Sequence, residues 1–206
     1  GAPHSARRRT YALMNHLATD YRLQLDLYSK VTSAAVMLTQ AEQAPGQIDC
    51  TLQTCLRYKR PVYIEVPTDM VDTPCPAATG VLGPPPPAPS NPDALAESIV
   101  ETTTMLAAAR RPAILCGVEV HRFGLRDDVV RLLDECGYPV ATTVNGKTAI
   151  PEEHPGFIGI YEGALSRPEV LETIESADCL LSLGAWFTDI ATGGFTAKLD
   201  DSRMIA

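Results

Sequence analysis

Long apolar runs are absent from this 206-residue sequence. None approaches the ~20 residues that a membrane-crossing helix needs, so no such helix is expected in it. Basic charge is scarce as well. Lys and Arg number 17 against 25 Asp and Glu, a formal charge of −8, which disfavours phosphate backbones and anionic lipid surfaces as partners. The one basic run, Arg7-Arg8-Arg9, reads as a solvated surface patch. Metal-ligand spacing is missing too. The six cysteines (Cys50, Cys55, Cys75, Cys116, Cys136, Cys179) are scattered, and none of His4, His16, His121 and His154 has a His or Cys four residues away. Cys116 and Cys179 lie inside apolar runs and read as free thiols packed like small hydrophobes, which fits a reducing, cytoplasmic compartment. There is no G-x-G-x-x-G fingerprint, and no nucleophile elbow or carboxylate pair stands out. The N-terminus has neither a signal pattern nor an initiator methionine, so processing or truncation is expected to have set Gly1.

What is present describes a globular α/β protein. Apolar residues make up 45% and charged residues 20%, enough for a real core. A proline-rich stretch at 74–91, including Gly83-Pro84-Pro85-Pro86-Pro87, favours extended polyproline structure and reads as a linker. Before it, 23–38 is apolar with β-branched Val31, Thr32 and Val36 and is expected to be partly helical. Ile48, Leu52 and Leu56 predict an amphipathic helix over 45–58, and 62–66 alternates as a strand. After the linker, helices are expected at 91–110, 125–135 and 167–176, the last opened by a capping box Ser166-Arg-Pro-Glu169. Short apolar strands are expected at 112–116, 139–143 and 179–183, with another beginning at Met204. That alternation implies a parallel sheet covered on both faces.

Local chemistry is sparse. The turn from Cys116 through Gly124 stands where doubly wound sheets bind phosphates, but its glycines are wrongly spaced and Glu119 would repel a diphosphate, so a structural turn is favoured. His121 and His154 read as surface histidines. His16 is a candidate general acid or base on residue type alone. The segment 188–195 follows an apolar strand and carries small residues and Gly193-Gly194, which suggests a mobile loop at a ligand-binding strand end.

Several segments together resemble the pyruvate and indolepyruvate decarboxylase family of thiamine diphosphate enzymes. They are Arg60-Pro-Val-Tyr-Ile-Glu-Val-Pro67, Cys116-Gly-Val-Glu-Val-His-Arg122, Pro139-Val-Ala-Thr-Thr143 with Gly146-Lys147, His154-Pro155, Tyr161-Glu-Gly-Ala-Leu165 and Thr188-Asp189. The resemblance implies that 1–73 is the later part of a pyrimidine-binding domain and 74–91 a linker. It makes 92–206 a Rossmann-like middle domain, incomplete at its C-terminal end. It implies thiamine diphosphate and Mg2+ as cofactors of the intact enzyme, a 2-oxo acid as substrate, and a homodimer or homotetramer without nucleic-acid or membrane partners. The family's magnesium-holding Gly-Asp-Gly is not in this sequence, and its activating glutamate lies upstream of residue 1. The chain alone is therefore expected to be an inactive fragment.

The same resemblance supplies site residues. Asn15 and His16 match a family His-His pair that handles protons. Asn15 is a departure, since an amide cannot relay a proton at neutral pH; Asn15 is expected to position and His16 to transfer. Asp189, Ile190, Thr192 and Gly193 match a loop that shapes the substrate pocket, with Ile190 where relatives vary side-chain bulk. A medium aliphatic there favours aryl-pyruvates or branched 2-oxo acids over pyruvate alone. Glu119 stands near a regulatory cysteine of some yeast-type relatives, which argues against thiol-based activation. The alternative reading is a non-catalytic Rossmann-like nucleotide-binding or scaffold module.

Overall fold

A computed structural model describes residues 3, 20–83, 85–86 and 89–206. The chain divides into two compact units, Gly1–Pro89 and Ser90–Ala206. In the first, α1 (Leu23–Val31), β1 (Ala35–Met37), α2 (Ala44–Tyr58) and β2 (Tyr63–Glu65) are in order. β1 and β2 pair in parallel, Ala35 opposite Tyr63 and Met37 opposite Glu65. α2 carries Pro45 in its first turn, where the missing N–H costs nothing, and ends at Lys59 in the left-handed conformation. Tyr28 of α1 stacks on Tyr63 of β2, with ring centroids 4.2 Å apart. The mixed 23–38 segment thus resolves into a helix and then a strand. β-branching at Thr32, together with a hydrogen bond from its hydroxyl back to the Tyr28 carbonyl at 2.7 Å, ends the helix.

The second unit holds α3 (Pro92–Ala108), β3 (Pro112–Cys116), α4 (Val118–Arg122), α5 (Arg126–Cys136), β4 (Val140–Thr143), β5 (Phe157–Tyr161), α6 (Pro168–Glu175), β6 (Cys179–Leu183) and β7 (Met204–Ile205). Five strands form one sheet in the order β5-β4-β3-β6-β7, every pairing parallel. The strands read as near-continuous apolar runs because both faces are covered. Ile114, Cys116 and Val140 pack on one face with Val129 and Leu133 of α5. Ala113, Leu115 and Ala141 pack on the other with Val170 and Ile174 of α6. The α/β class with parallel sheets is as the sequence predicts.

Three local expectations need correction. Ser166 does not cap α6: Arg167 occupies that position with no side-chain cap, and the Ser166 hydroxyl instead accepts the Glu162 N–H at 2.7 Å and donates to the Gly163 carbonyl. β5 has no counterpart in the sequence reading. Its pairing register with β4 shifts between Val140 and Ala141, leaving Ile158 as an extra residue in β5, and a Cβ at Gly159 would press on the Arg167 side chain and on Val170 of α6. His154 is not a surface residue. Its side chain is only 10% exposed; Nδ1 accepts the Gly156 N–H at 3.1 Å and Nε2 lies 3.2 Å from Asp134 Oδ1.

Candidate functional site at the carboxyl edge of the sheet

Strand order places the topological switch between β3 and β6, since β4 and β5 lie to one side and β7 to the other. Such crevices are where open parallel sheets bind ligands. Here the crevice is filled by backbone. The Gly117 N–H donates to the Leu183 carbonyl at 2.9 Å and the Glu119 N–H to the Gly184 carbonyl at 3.2 Å. A Cβ on Gly117 would overlap Gly184 and Ala185, and one on Gly184 would strike Glu119. This packing supports the structural-turn reading of the Gly117 segment. Above it, Glu119 pairs with Arg122 at 3.4 Å, and the Arg122 guanidinium lies 4.9 Å from the centroid of the Trp186 ring.

Beside the crevice, two loops interlock. The 162–166 loop leaves β5, and the 188–196 loop follows β6. Gly163 and Gly193 both adopt positive φ, 51° and 58°. A Cβ on Gly163 would overlap the Thr192 carbonyl, and one on Gly193 would overlap the Glu162 carbonyl. The approach is reciprocal, and it explains why glycine occupies both places. Within 188–196 the backbone turns on itself: Thr192 N–H donates to the Thr188 carbonyl at 2.9 Å and Gly194 N–H to the Asp189 carbonyl at 2.7 Å. The segment read as a mobile loop is therefore a hydrogen-bonded turn. Asp189 and Ile190 are exposed, Ile190 at 54%, while Thr192 and Gly193 are buried. Phe195 (79% exposed) and Leu165 (71%) stand at the tips of the two loops.

The buried titratable groups nearby serve packing. Tyr161 is fully buried, and its hydroxyl donates to Glu175 Oε1 at 3.0 Å. Burial first, then that carboxylate, pushes the phenol well above its ordinary range. Burial pushes the Cys116 thiol up to about 12. In the first unit Tyr63 is pushed up to about 12 by burial and then by Glu65, a carboxylate only 4% exposed at the end of β2.

The sequence pattern of the thiamine pyrophosphate enzyme central domain matches residues 99–205, which includes every strand of the five-stranded sheet. The chain belongs to the thiamine pyrophosphate enzymes. Among relatives of this chain are the pyruvate decarboxylases of Candida glabrata (33% identical over 210 residues, all of this chain and 37% of that protein) and Candida albicans (31% over 204 residues, 95% of this chain and 35% of that protein). Pyruvate decarboxylase isozyme 2 of Saccharomyces cerevisiae is 32% identical over 210 residues, again covering all of this chain and 37% of the relative. The chain thus spans little more than a third of the length of these curated relatives. The family resemblance carried by the scattered motifs is borne out.

For a thiamine pyrophosphate enzyme, the described residues supply little that fits a metal-bound diphosphate. Among them no three His, Cys, Asp or Glu side chains converge as metal ligands, and the switch crevice is closed by Gly117 and Gly184. Asn15 and His16 lie outside the described residues. Asp189, Ile190, Thr192 and Gly193 are brought together in one turn at the carboxyl edge. Thr196 and Gly163, which hold that turn, were missed. The pairing of Gly163 with Gly193 crosses two loops and has no local signal in the sequence.

Proposed function

We propose that this chain works within a thiamine diphosphate- and Mg2+-dependent carboxy-lyase that converts a 2-oxo acid to an aldehyde and CO2. The observation that supports it best is the match to pyruvate decarboxylases along 95–100% of the chain, through both units. On this reading 1–73 is the later part of the pyrimidine-binding domain, 74–91 the linker and 92–206 the middle domain. When bound, thiamine diphosphate would supply the electron sink for loss of CO2. The diphosphate and Mg2+ would be held by parts of the enzyme other than the described residues, and the 206-residue chain alone would be inactive. The whole enzyme would be a cytoplasmic homodimer or homotetramer.

The chain's own residues would handle protons and shape the pocket. His16 transfers a proton and Asn15 holds it in place by hydrogen bonding, a division that follows from what an imidazole and an amide can do near neutral pH. Ile190, exposed on the turn at the carboxyl edge, bounds the substrate. Its moderate bulk admits indolepyruvate, phenylpyruvate and branched 2-oxo acids besides pyruvate. In the whole enzyme, Ile190→Phe should lower kcat/KM for aryl-pyruvates relative to pyruvate. A selectivity for pyruvate that Ile190→Phe leaves unaltered would remove the assignment. Asn15→His should alter the pH profile of kcat; an unchanged profile would remove the specialised pair. Turnover of any 2-oxo acid by the purified 206-residue chain would overturn the division between this chain and the remainder.

A further inference from the structure

Resting on the reading of 189–193 as a pocket loop, we propose that Thr196 is a positioning residue. Its hydroxyl pins that loop to the neighbouring 162–166 loop and so sets where Ile190 stands. Three hydrogen bonds run in series. The Ala164 N–H donates to Thr196 Oγ1 at 2.9 Å. The same hydroxyl donates onward to the Gly193 carbonyl at 2.8 Å. The Gly193 N–H then donates to the Ile190 carbonyl at 3.0 Å. A hydroxyl is needed at the middle of this series because it must accept on one side and donate on the other; neither valine nor alanine can do so, and serine can.

The glycine pair explains why the pin works at close range. With Gly163 against the Thr192 carbonyl and Gly193 against the Glu162 carbonyl, the two backbones lie in contact, and Thr196 stands beside that contact. On the other loop, Ser166 orders the partner turn by accepting the Glu162 N–H and donating to the Gly163 carbonyl. The loop that carries Ile190 thus takes its position from β5 and its following turn as well as from β6. Residues after β5, three strands from β6 in the sheet order, fix the wall of the site together with the pocket side chain.

The test uses the whole enzyme with thiamine diphosphate and Mg2+, comparing wild type, Thr196→Val and Thr196→Ser. Thr196→Val should raise KM for the preferred 2-oxo acid roughly three- to tenfold, the effect of one neutral hydrogen bond, with kcat little changed. Thr196→Ser should restore the wild-type KM. Hydrogen exchange of peptides covering 162–166 should quicken in the valine variant and not in the serine variant. Unchanged KM with unchanged exchange would overturn the proposal, as would equal losses in both variants, because a merely steric role would not distinguish them. If wild type turns over no 2-oxo acid, the decarboxylase reading falls, and exchange at 162–166 alone decides whether the pin exists.

Discussion

Thr142 shows how a single side chain can be out of step with its surroundings. It is 1% exposed on β4, and its Oγ1 has no hydrogen-bond partner among the described residues. A buried hydroxyl left unpaired loses its hydration without return. Thr142→Val, of the same shape, should therefore leave stability unchanged or raise it by about 1 kcal/mol. Chemical denaturation would check this, and a clear loss would mean that the hydroxyl has a partner after all. Cys116 makes a second prediction at this scale. Its thiol is fully buried and pushed up to about 12 from an ordinary 9.0. A group whose folded value is raised binds its proton more tightly in the folded state, so its contribution is complete below pH 9 and is lost as pH rises towards 12. Tyr161 acts in the same direction. The denaturation midpoint should fall between pH 9 and 11, with Cys116 slower than exposed Cys50 and Cys75 towards thiol reagents. Equal labelling rates would contradict the packing.

Between elements, Asp178 is the joint that the sequence did not disclose. Its two carboxylate oxygens accept the Arg110 and Arg111 backbone N–H groups at 2.9 and 2.8 Å, tying the turn before β3 to the turn before β6. These two bonds hold its carboxyl below the usual 3.8, Arg110 first. The sign is opposite to that of Cys116: the contribution is complete above about pH 3.8 and is lost as pH falls through the lower folded value. Asp178→Ala should lower the melting temperature at pH 7 and flatten its fall in acid. An acid profile unchanged by the substitution would sink the idea. Elements with a local signal were legible in advance. Pro112–Cys116 and Cys179–Leu183 are five-residue apolar runs bounded by turns, and Ala44–Tyr58 carries its apolar residues every fourth place. Phe157–Tyr161 was not, because Gly159 and the extra residue Ile158 beside it break the pattern of a strand. Ser166 imitated a cap because its hydroxyl does bind a nearby N–H, but that of Glu162 behind it rather than one in the helix ahead.

For the whole molecule, the candidate site was legible only where one segment carries it. Thr188, Asp189 and the paired glycines announce a loop after an apolar strand, and the structure puts them at the carboxyl edge. The clasp with Gly163 joins residues about thirty apart, and no reading of either segment alone would reveal it. The same holds for the closed crevice between β3 and β6, where Gly117 meets Gly184. The close approach there fills the switch point of the sheet with backbone. Gly117→Ala should accordingly destabilise the second unit, since the new methyl meets Gly184 and Ala185 backbone that cannot swing aside. Thermal unfolding reads this, and a wild-type midpoint would contradict the closed crevice. The proposed decarboxylation is tested by supplying the whole enzyme carrying this sequence with thiamine diphosphate and Mg2+ and measuring CO2 and aldehyde from pyruvate, phenylpyruvate, indolepyruvate and a branched 2-oxo acid. Stoichiometric CO2 and aldehyde from at least one of them is the predicted result; a folded, cofactor-loaded enzyme that releases neither from any would contradict the account.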